Sequence, residues 1–280
     1  MPHTPSLLVL KFGGASLATP ARLRRAARRV AFVRARGHDV VTVVSALGET
    51  TDRLLAQFDR VRSPRSEVRG SGERRSLPPF TPDFGLRTSD EFTPRERDRL
   101  LATGEDHAAS LLAATIAFYG RAARSLRGGE AGLLAAGEFG AGVMQDLALS
   151  PLLDLLRAQV VPVVSGFQAL RIHDGETLTL GRGTSDLTAV FLAARLGAAE
   201  CHLVKDVDGV YDLDPHRFAE ARRHETLSYA GLEAIAGRSE IVHPGAAALA
   251  REAEVRLRIY GYRAPFNVTD ADCTRVGEAA

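Results

Sequence analysis

Three short loops in this sequence concentrate residue types that can bind and transfer a phosphate group. The first reads Lys11-Phe12-Gly13-Gly14 and follows an apolar run. Paired glycines let backbone N–H groups approach an anion closely, and a lysine supplies positive charge to a phosphoryl group in transfer. Lys-Phe-Gly-Gly alone is weak evidence, because glycine pairs also form tight strand-to-helix turns for structural reasons.

The second and third loops add groups suited to a carboxylate and a nucleotide. In the second, Arg182 can bind a carboxylate through two parallel hydrogen bonds. Ser185-Asp186 stand at a predicted helix start, where they would also serve as an ordinary cap. The third loop, Lys205–Tyr211, is followed by Asp214-Pro215. Carboxylates beside a lysine suit a nucleotide with its magnesium ion, although Asp-Gly sequences also form solvated turns.

The composition singles out two lysines and excludes some classes of partner. Of 36 basic residues only Lys11 and Lys205 are lysines, and both lie in these loops. A compact ammonium differs from a planar guanidinium around phosphates, so this placement favours a role in phosphate binding. A net charge of +2 gives no electrostatic reason to expect a nucleic-acid partner. Cys201 and Cys273 form no disulfide or metal-binding motif.

Apolar strands and amphipathic helices alternate along the chain, which predicts an α/β fold with a mainly parallel central sheet sandwiched by helices. Residues 60–97 are rich in Arg, Ser, Pro and Gly, and we expect a long flexible loop there, within one domain spanning 1–280. The apolar runs are too short to cross a membrane and the N-terminus has no signal sequence, so we expect a cytoplasmic protein with no membrane partner. The predicted strands include 7–11, 40–44, 160–164, 202–204 and, as the last, 255–259; the predicted helices include 20–36, 98–118 and 187–196.

Five segments, in this order along the chain, resemble the aspartokinases, a branch of the amino-acid kinase family. Besides the three loops, they are Val44-Ser45-Ala46 leading to Thr50-Thr51, and Gly104-Glu105 on a helix. The segment Leu180–Asp186 is the most specific, because related acetylglutamate and nucleotide-monophosphate kinases do not share its Arg-Gly-x-Ser-Asp form. The segment Gly72-Glu73-Arg74-Arg75-Ser76 matches the family's Gly-Glu-Arg-x-Ser string more closely, but the helical context favours Glu105.

The resemblance implies ATP-dependent phosphorylation of the side-chain carboxylate of L-aspartate, giving 4-phospho-L-aspartate, with ATP and Mg²⁺ as cofactors. It also implies a homodimer, a place in lysine and threonine biosynthesis, and two lobes, with residues 1–170 binding the amino acid and 171–280 the nucleotide. No set of metal-ligating side chains is expected.

The same resemblance implies a role for each candidate residue. Lys11 would stabilise the transferred γ-phosphoryl, with backbone donors from Gly13 and Gly14, and Asp186 would orient Lys11. Arg182 would bind the α-carboxylate of the amino acid and Glu105 its α-ammonium group. Further amino-acid contacts would come from Ser45, Thr51 and Ser185, and the ATP pocket would be lined by Lys205, Asp206, Asp208, Gly209, Tyr211, Asp214 and Pro215.

Several positions depart from the family pattern. Ala15 replaces a hydroxyl residue, Thr184 replaces a glycine, and Asp106-His107-Ala108 replaces Arg-x-Ser. Glu240 stands where the family carries a lysine that touches ATP phosphates, and His216 replaces an arginine after Asp-Pro. These changes leave two alternatives open: a kinase with a different small acceptor, or a degenerate kinase that binds nucleotide or amino acid without turnover.

Typical aspartokinases continue into ACT regulatory domains that sense lysine or threonine. Because the sequence given ends at residue 280, just after the last predicted strand, we expect no such domain. The expectation is therefore that feedback inhibition by that route does not operate in this chain.

Overall fold

The computed structural model describes residues 6–62, 92–213, 215, 217–236 and 241–278. The strands are β1 (Leu7–Phe12), β2 (Asp39–Val44), β3 (Ala123–Leu126), β4 (Leu133–Ala136), β5 (Val143–Leu147), β6 (Val161–Ser165), β7 (Gln168–Arg171), β8 (Thr177–Thr179), β9 (Glu200–Lys205), β10 (Thr226–Ser228), β11 (Leu257–Gly261) and β12 (Thr274–Gly277). The helices are α1 (Gly14–Leu17), α2 (Pro20–Ala35), α3 (Thr50–Arg62), α4 (Phe92–Phe118), α5 (Ser150–Arg157), α6 (Ser185–Leu196), α7 (Tyr229–Ala236) and α8 (Pro244–Glu252), with a short 3₁₀ helix at Asp270–Asp272.

Eight strands form a central sheet in the order β10-β12-β11-β9-β1-β2-β6-β3, and β5-β4-β7-β8 form a smaller second sheet. In the central sheet every neighbouring pair is parallel except β11 and β12. The predicted α/β fold with a mainly parallel sheet between helices is therefore confirmed.

The central strands are buried on both faces, which explains their continuous apolar sequences. Side chains alternate along each strand, so the two faces carry different residues. Leu8, Leu10 and Phe12 of β1 pack into the core beneath α2 and α4. Val9 packs into the opposite core, which includes the buried face of α6.

This alternation decides where the two lysines point. Lys11 has the same strand parity as Val9, and Lys205 the same parity as Cys201 and Leu203, which lie in the core beneath α6. β1 and β9 are neighbours in the sheet, with Lys11 paired to Leu203. Both lysines therefore project from adjacent strand ends toward the first turn of α6.

The structure corrects the predicted loop at 60–97 at both of its ends. α3 continues to Arg62 and α4 begins at Phe92 rather than Asp98. Pro94 lies in the first turn of α4, where a missing backbone N–H does no harm. Residues 63–91 lie outside the described part of the chain.

The strand predictions were incomplete. β12 follows β11, so the expectation that 255–259 form the last strand was wrong. β4, β5, β7 and β10 were not predicted as strands, because they are three to five residues long and β5 and β10 are largely exposed. The proposed lobe boundary near residue 170 falls inside β7 and stays a prediction.

Candidate active site

A buried carboxylate at the start of α6 joins the two lysines. Asp186 forms two ion pairs: its Oδ1 lies 2.8 Å from Lys11 Nζ, and its Oδ2 lies 2.6 Å from Lys205 Nζ. The side chains of all three are nearly buried, with 6%, 12% and 4% exposure for Lys11, Lys205 and Asp186. The backbone N–H of His243, which caps α8, also approaches Oδ2 at 3.4 Å.

The two lysine charges hold Asp186 in its ionised form. Burial alone would raise the pKa of Asp186, but Lys11 and Lys205 outweigh it and hold that pKa well below its ordinary value. Burial lowers the pKa of Lys205; Asp186 opposes that change, and the like charge of Lys11 adds to it. Two cations share one carboxylate, so this group carries a surplus positive charge at the ends of β1 and β9.

The loop after β1 packs closely on the loop after β2. A methyl group on Gly14 would lie 2.6 Å from the carbonyl oxygen of Ala46, and Gly48 N donates to Gly14 O at 3.0 Å. Glycine at position 14 is therefore required by this approach. Gly13 N donates to Val204 O at 3.2 Å, so this predicted phosphate donor is already engaged within the fold.

Glu105 of α4 lies under the β2 loop. Its Oε1 accepts from Ala46 N at 3.0 Å, whereas its Oε2 is buried and has no hydrogen-bond partner. Burial raises the pKa of Glu105 to about 7, against the lowering effect of the Ala46 hydrogen bond and, more weakly, of the Lys11 charge. A buried carboxylate oxygen without a donor is costly unless a donor arrives with a ligand.

The other residues predicted to hold an amino acid lie near the ends of β2 and β6 and on α3. Ser45 follows the last residue of β2, and Ser185 is buried against Gly166, where an added methyl group would lie 2.8 Å from its Cβ. Thr51 lies in the first turn of α3. Arg182 is largely exposed and forms an ion pair with Asp52 of the same turn. Because this guanidinium is exposed, the carboxylate of a ligand can replace that of Asp52.

Thr184, which replaces the glycine of the family pattern, is accommodated within its own loop. It is 2% exposed, and its hydroxyl donates to Gly181 O at 2.7 Å. The added side chain is therefore satisfied by the loop that carries it.

A cavity of about 770 Å³ opens beside the loop that follows β9. Its volume lies within the range of small-molecule sites. Of the residues predicted for the ATP pocket, Asp206, Asp208, Tyr211 and Pro215 line this cavity, together with Arg223 and Arg263. Tyr211 Oη donates to Asp208 Oδ1 at 2.5 Å.

Two of the residues predicted for the ATP pocket do not line this cavity, and a third lies outside the described residues. Lys205 points to Asp186 and does not line the cavity. Gly209 is buried, and a methyl group there would meet Arg223 and Thr274 at 2.6 Å. Asp214 lies outside the described residues, as do His216, Glu240 and the alternative Gly72-Glu73.

Sequence reasoning missed three features of this region. His243 was given no role, although its position before Pro244 is typical of a helix start. Asp52 gave no signal, because its pairing with Arg182 joins segments 130 residues apart. Asp106, which departs from the family pattern, accepts hydrogen bonds from Ser165 Oγ at 2.7 Å and from Gln168 Nε2 at 3.0 Å. It therefore links α4 to the end of β6 and the start of β7.

No group of three or more His, Cys, Asp or Glu side chains in the described part of the chain is arranged to hold a metal ion. None of the helices that the structure describes combines the length and apolar character of a membrane span.

Known proteins are similar to this chain in sequence. A model of the amino acid kinase family matches residues 6–261. An aspartokinase from Mycolicibacterium smegmatis is 36% identical over 224 residues, covering 80% of this chain and 47% of that protein. One from Thermus thermophilus is 34% identical over 255 residues, covering 91% and 56%. The chain thus spans about half the length of the curated relatives it matches.

Solved structures agree with the fold. An aspartate kinase from Synechocystis superposes with a TM-score of 0.73 at 30% identity, covering 98% of this chain and 40% of that one. E. coli aspartokinase III, solved in complex with aspartate and ADP, superposes with a TM-score of 0.77 at 23% identity, covering 98% and 65%. With its parallel sheet, its lysine–aspartate cluster at the strand ends and a family model matched over residues 6–261, this chain belongs to the amino acid kinase family.

Proposed function

We propose that the chain transfers the γ-phosphoryl group of ATP to the side-chain carboxylate of L-aspartate, giving 4-phospho-L-aspartate and ADP. The observation that carries this proposal is Glu105, a buried carboxylate whose Oε2 has no donor and whose pKa is raised by burial to about 7. An α-ammonium group would supply the missing donor and charge.

The acceptor fits this arrangement at both ends. Arg182 can exchange Asp52 for the α-carboxylate of an amino acid, since a guanidinium binds either carboxylate through the same two donors. Ser45, Thr51 and Ser185 are the remaining predicted contacts of the amino acid. Aspartate presents an ammonium group for Glu105, an α-carboxylate for Arg182 and a second carboxylate as the acceptor of the phosphoryl group.

The state of Asp186 favours an acceptor that needs no general base. Its two ion pairs hold it ionised with a lowered pKa, so it is a weak proton acceptor. A side-chain carboxylate is already ionised at neutral pH and needs none. Its oxygen forms the new bond to phosphorus while the bond to the β-phosphate oxygen of ATP breaks and ADP leaves. Phosphoryl transfer of this kind depends on positioning and charge neutralisation, which Lys11 supplies here.

The site has room and charge for a nucleotide. The surplus positive charge of the Lys11–Asp186–Lys205 cluster suits a polyphosphate, and the 770 Å³ cavity beside Asp206 suits a nucleoside. Mg²⁺ in such sites is held largely by phosphate oxygens and water, and it would neutralise charge on the β- and γ-phosphates. Asp206 and Asp208, two exposed carboxylates that line the cavity, are the proposed protein contacts of the hydrated ion.

Three further properties are proposed from the similarity to aspartokinases alone. They are a homodimeric assembly, a cytoplasmic location and a place in lysine and threonine biosynthesis. Size-exclusion chromatography with light scattering tests the first, and growth of an aspartokinase-deficient bacterium carrying this gene tests the last.

Hydroxamate formation tests the proposed reaction directly, because hydroxylamine traps an acyl phosphate. Purified protein with Mg-ATP, aspartate and hydroxylamine is expected to form aspartyl hydroxamate. Lys11→Ala is expected to reduce the rate by about 10³-fold or more, since it removes a cation from the transferred phosphoryl group. Arg124→Ala, which removes an exposed charge on β3, is the matched control.

Two results would contradict the proposal. One is ATP binding without hydroxamate from aspartate, either with no turnover or with turnover of another acceptor. The other is hydroxamate formation that survives Lys11→Ala, which would place the chemistry elsewhere in the molecule.

A further inference from the structure

Helix α2 holds the loop that follows β11 by its backbone carbonyl groups. This loop, residues 262–266 (the β11 loop), has no regular secondary structure. Arg25 of α2 donates from Nε to Tyr262 O at 2.7 Å. Its Nη2 donates to Arg263 O at 2.7 Å and to Ala264 O at 2.9 Å. One guanidinium group therefore fixes three consecutive carbonyl groups.

Arg29, one helical turn further along α2, continues this contact. It donates to Ala264 O at 2.6 Å and to Pro265 O at 3.0 Å. The guanidinium groups of Arg25 and Arg29 also lie 5.2 and 5.6 Å from the centroid of the Phe266 ring. Hydrogen bonds from a charged donor are roughly twice as strong as neutral ones, so two arginines hold the whole β11 loop firmly.

The same face of α2 also reaches the loop that follows β1. Arg22 donates from Nη1 to Ala15 O at 2.7 Å, one residue beyond the Gly13-Gly14 pair. Its guanidinium group lies 4.5 Å from the centroid of the Tyr262 ring. Arg22 and Arg25 are three residues apart and share a helix face. One face of α2 therefore contacts both the glycine loop and the β11 loop.

The β11 loop is also a wall of the cavity proposed for the nucleoside. Arg263 and Ala264 line the 770 Å³ cavity, as does Gly261 at the end of β11. The carbonyl groups that Arg25 binds thus belong to residues of this wall. Among the described residues, those that line the cavity do not include Arg25 itself. Arg25 can therefore act on a nucleotide only through the position of the β11 loop.

We propose that Arg25 is a positioning residue of the nucleotide site, which keeps the β11 loop ordered before the nucleotide binds. A wall that is already ordered spares the nucleotide the entropic cost of fixing it. Through Arg22, the same helix ties this wall to the loop after Lys11, so the nucleoside and phosphate parts of the site keep a fixed relation. The inference rests on the nucleotide site of the proposed function but not on aspartate as the acceptor.

Arg25→Met tests this role, because methionine keeps part of the aliphatic stem and removes all three hydrogen bonds. Calorimetry measures the binding of ADP with Mg²⁺, and separately of aspartate, to wild type and variant. ADP affinity is expected to fall about 5- to 30-fold, the cost of ordering the backbone of roughly one residue on binding. Aspartate affinity is expected to change by less than about twofold, since distant sites act independently. Arg24→Met, which removes an exposed charge from the same helix, is the matched control and should change neither affinity.

A lysine at position 25 separates the hydrogen bonds of Arg25 from its charge. Lysine keeps the positive charge but lacks the planar fork that reaches three carbonyl groups at once, so ADP affinity in Arg25→Lys is expected to stay about threefold or more below that of wild type. If lysine restores ADP affinity fully, the charge of Arg25 acts on the nucleotide directly and the inference fails.

Thermal unfolding and the calorimetric stoichiometry separate positioning from a purely structural role. A purely structural arginine would lower the melting temperature of Arg25→Met and the fraction of protein that binds, and would leave the ADP affinity of the folded protein unchanged. Unchanged ADP affinity therefore overturns the inference, and so do equal losses of ADP and aspartate affinity.

The proposed function has its own separate outcome. If ADP binds Arg25→Met more weakly than Arg24→Met but wild type forms no aspartyl hydroxamate, the positioning role stands and only aspartate as acceptor fails. A wild type that binds no ADP would overturn both.

Discussion

Replacing Glu105 by glutamine is expected to stabilise the protein at alkaline pH and to abolish its use of an amino acid. Glutamine keeps the shape of the side chain and the hydrogen bond from Ala46 N but carries no charge. Burial raises the pKa of Glu105 from 4.5 to about 7. At about 1.4 kcal/mol per pH unit, ionising it in the folded protein costs about 3 kcal/mol.

The sign follows from proton binding. Between pH 4.5 and pH 7 the folded chain keeps this proton and the unfolded chain has lost it. The contribution of Glu105 to stability is therefore complete below pH 4.5 and is lost as pH rises through 7. Glutamine shows no such loss. The free energy of unfolding of Glu105→Gln minus that of wild type should thus rise by about 3 kcal/mol between pH 4.5 and pH 8.

Urea unfolding of both proteins at a series of pH values measures this difference. Glu252→Gln, an exposed position on α8, controls for the loss of one carboxylate. A difference between Glu105→Gln and wild type that stays constant from pH 4.5 to pH 8 would refute the reasoning. In wild type, kcat/KM for aspartate should rise with pH up to about 7, because only the ionised carboxylate binds an ammonium group.

Three further substitutions test other parts of the structure. Asp52→Asn frees Arg182 and should lower KM for aspartate about two- to fivefold in steady-state kinetics. Asp59→Asn on the same helix should leave KM unchanged. If KM is unchanged in Asp52→Asn as well, Asp52 does not compete with the substrate. Asp98→Ala leaves two backbone N–H groups without their acceptor and should cost about 2–4 kcal/mol in urea unfolding; a cost under about 1 kcal/mol would contradict this. Gly14→Ala places a methyl group 2.6 Å from a backbone carbonyl oxygen and should cost about 1–3 kcal/mol; unchanged unfolding would mean that the loop shifts freely.

Local sequence was sufficient for the elements with strong periodicity. The apolar runs of β1, β2 and β6 and the 3.6-residue pattern of α2 predicted their elements to within one or two residues. The start of α4 was predicted six residues late, because Pro94 and a run of charged residues conceal a helix whose stability comes from packing. β4, β5 and β7 of the second sheet gave no signal, since tertiary contacts decide such short elements.

The residues of the candidate site could likewise be predicted only in part from the sequence. Three loops at strand ends could be recognised from glycine pairs, lysines and clustered carboxylates, because these residue types are unusual together. Glu105 was chosen for its helical context, and the structure places it beneath Ala46. Lys205 forms an ion pair with Asp186, and its contact with ATP stays a prediction.

The sequence by itself determined which residue types stand at the ends of the strands and to which face of the sheet each points, because side chains alternate with a period of two along any strand. Only the tertiary structure decided which of these residues meet. β9 lies beside β1 although about 190 residues separate Lys11 from Lys205, and α3 brings Asp52 to Arg182. Strand order and helix docking depend on packing across the whole domain, so neither the lysine pair on one carboxylate nor the Arg182–Asp52 contact could be read from local sequence.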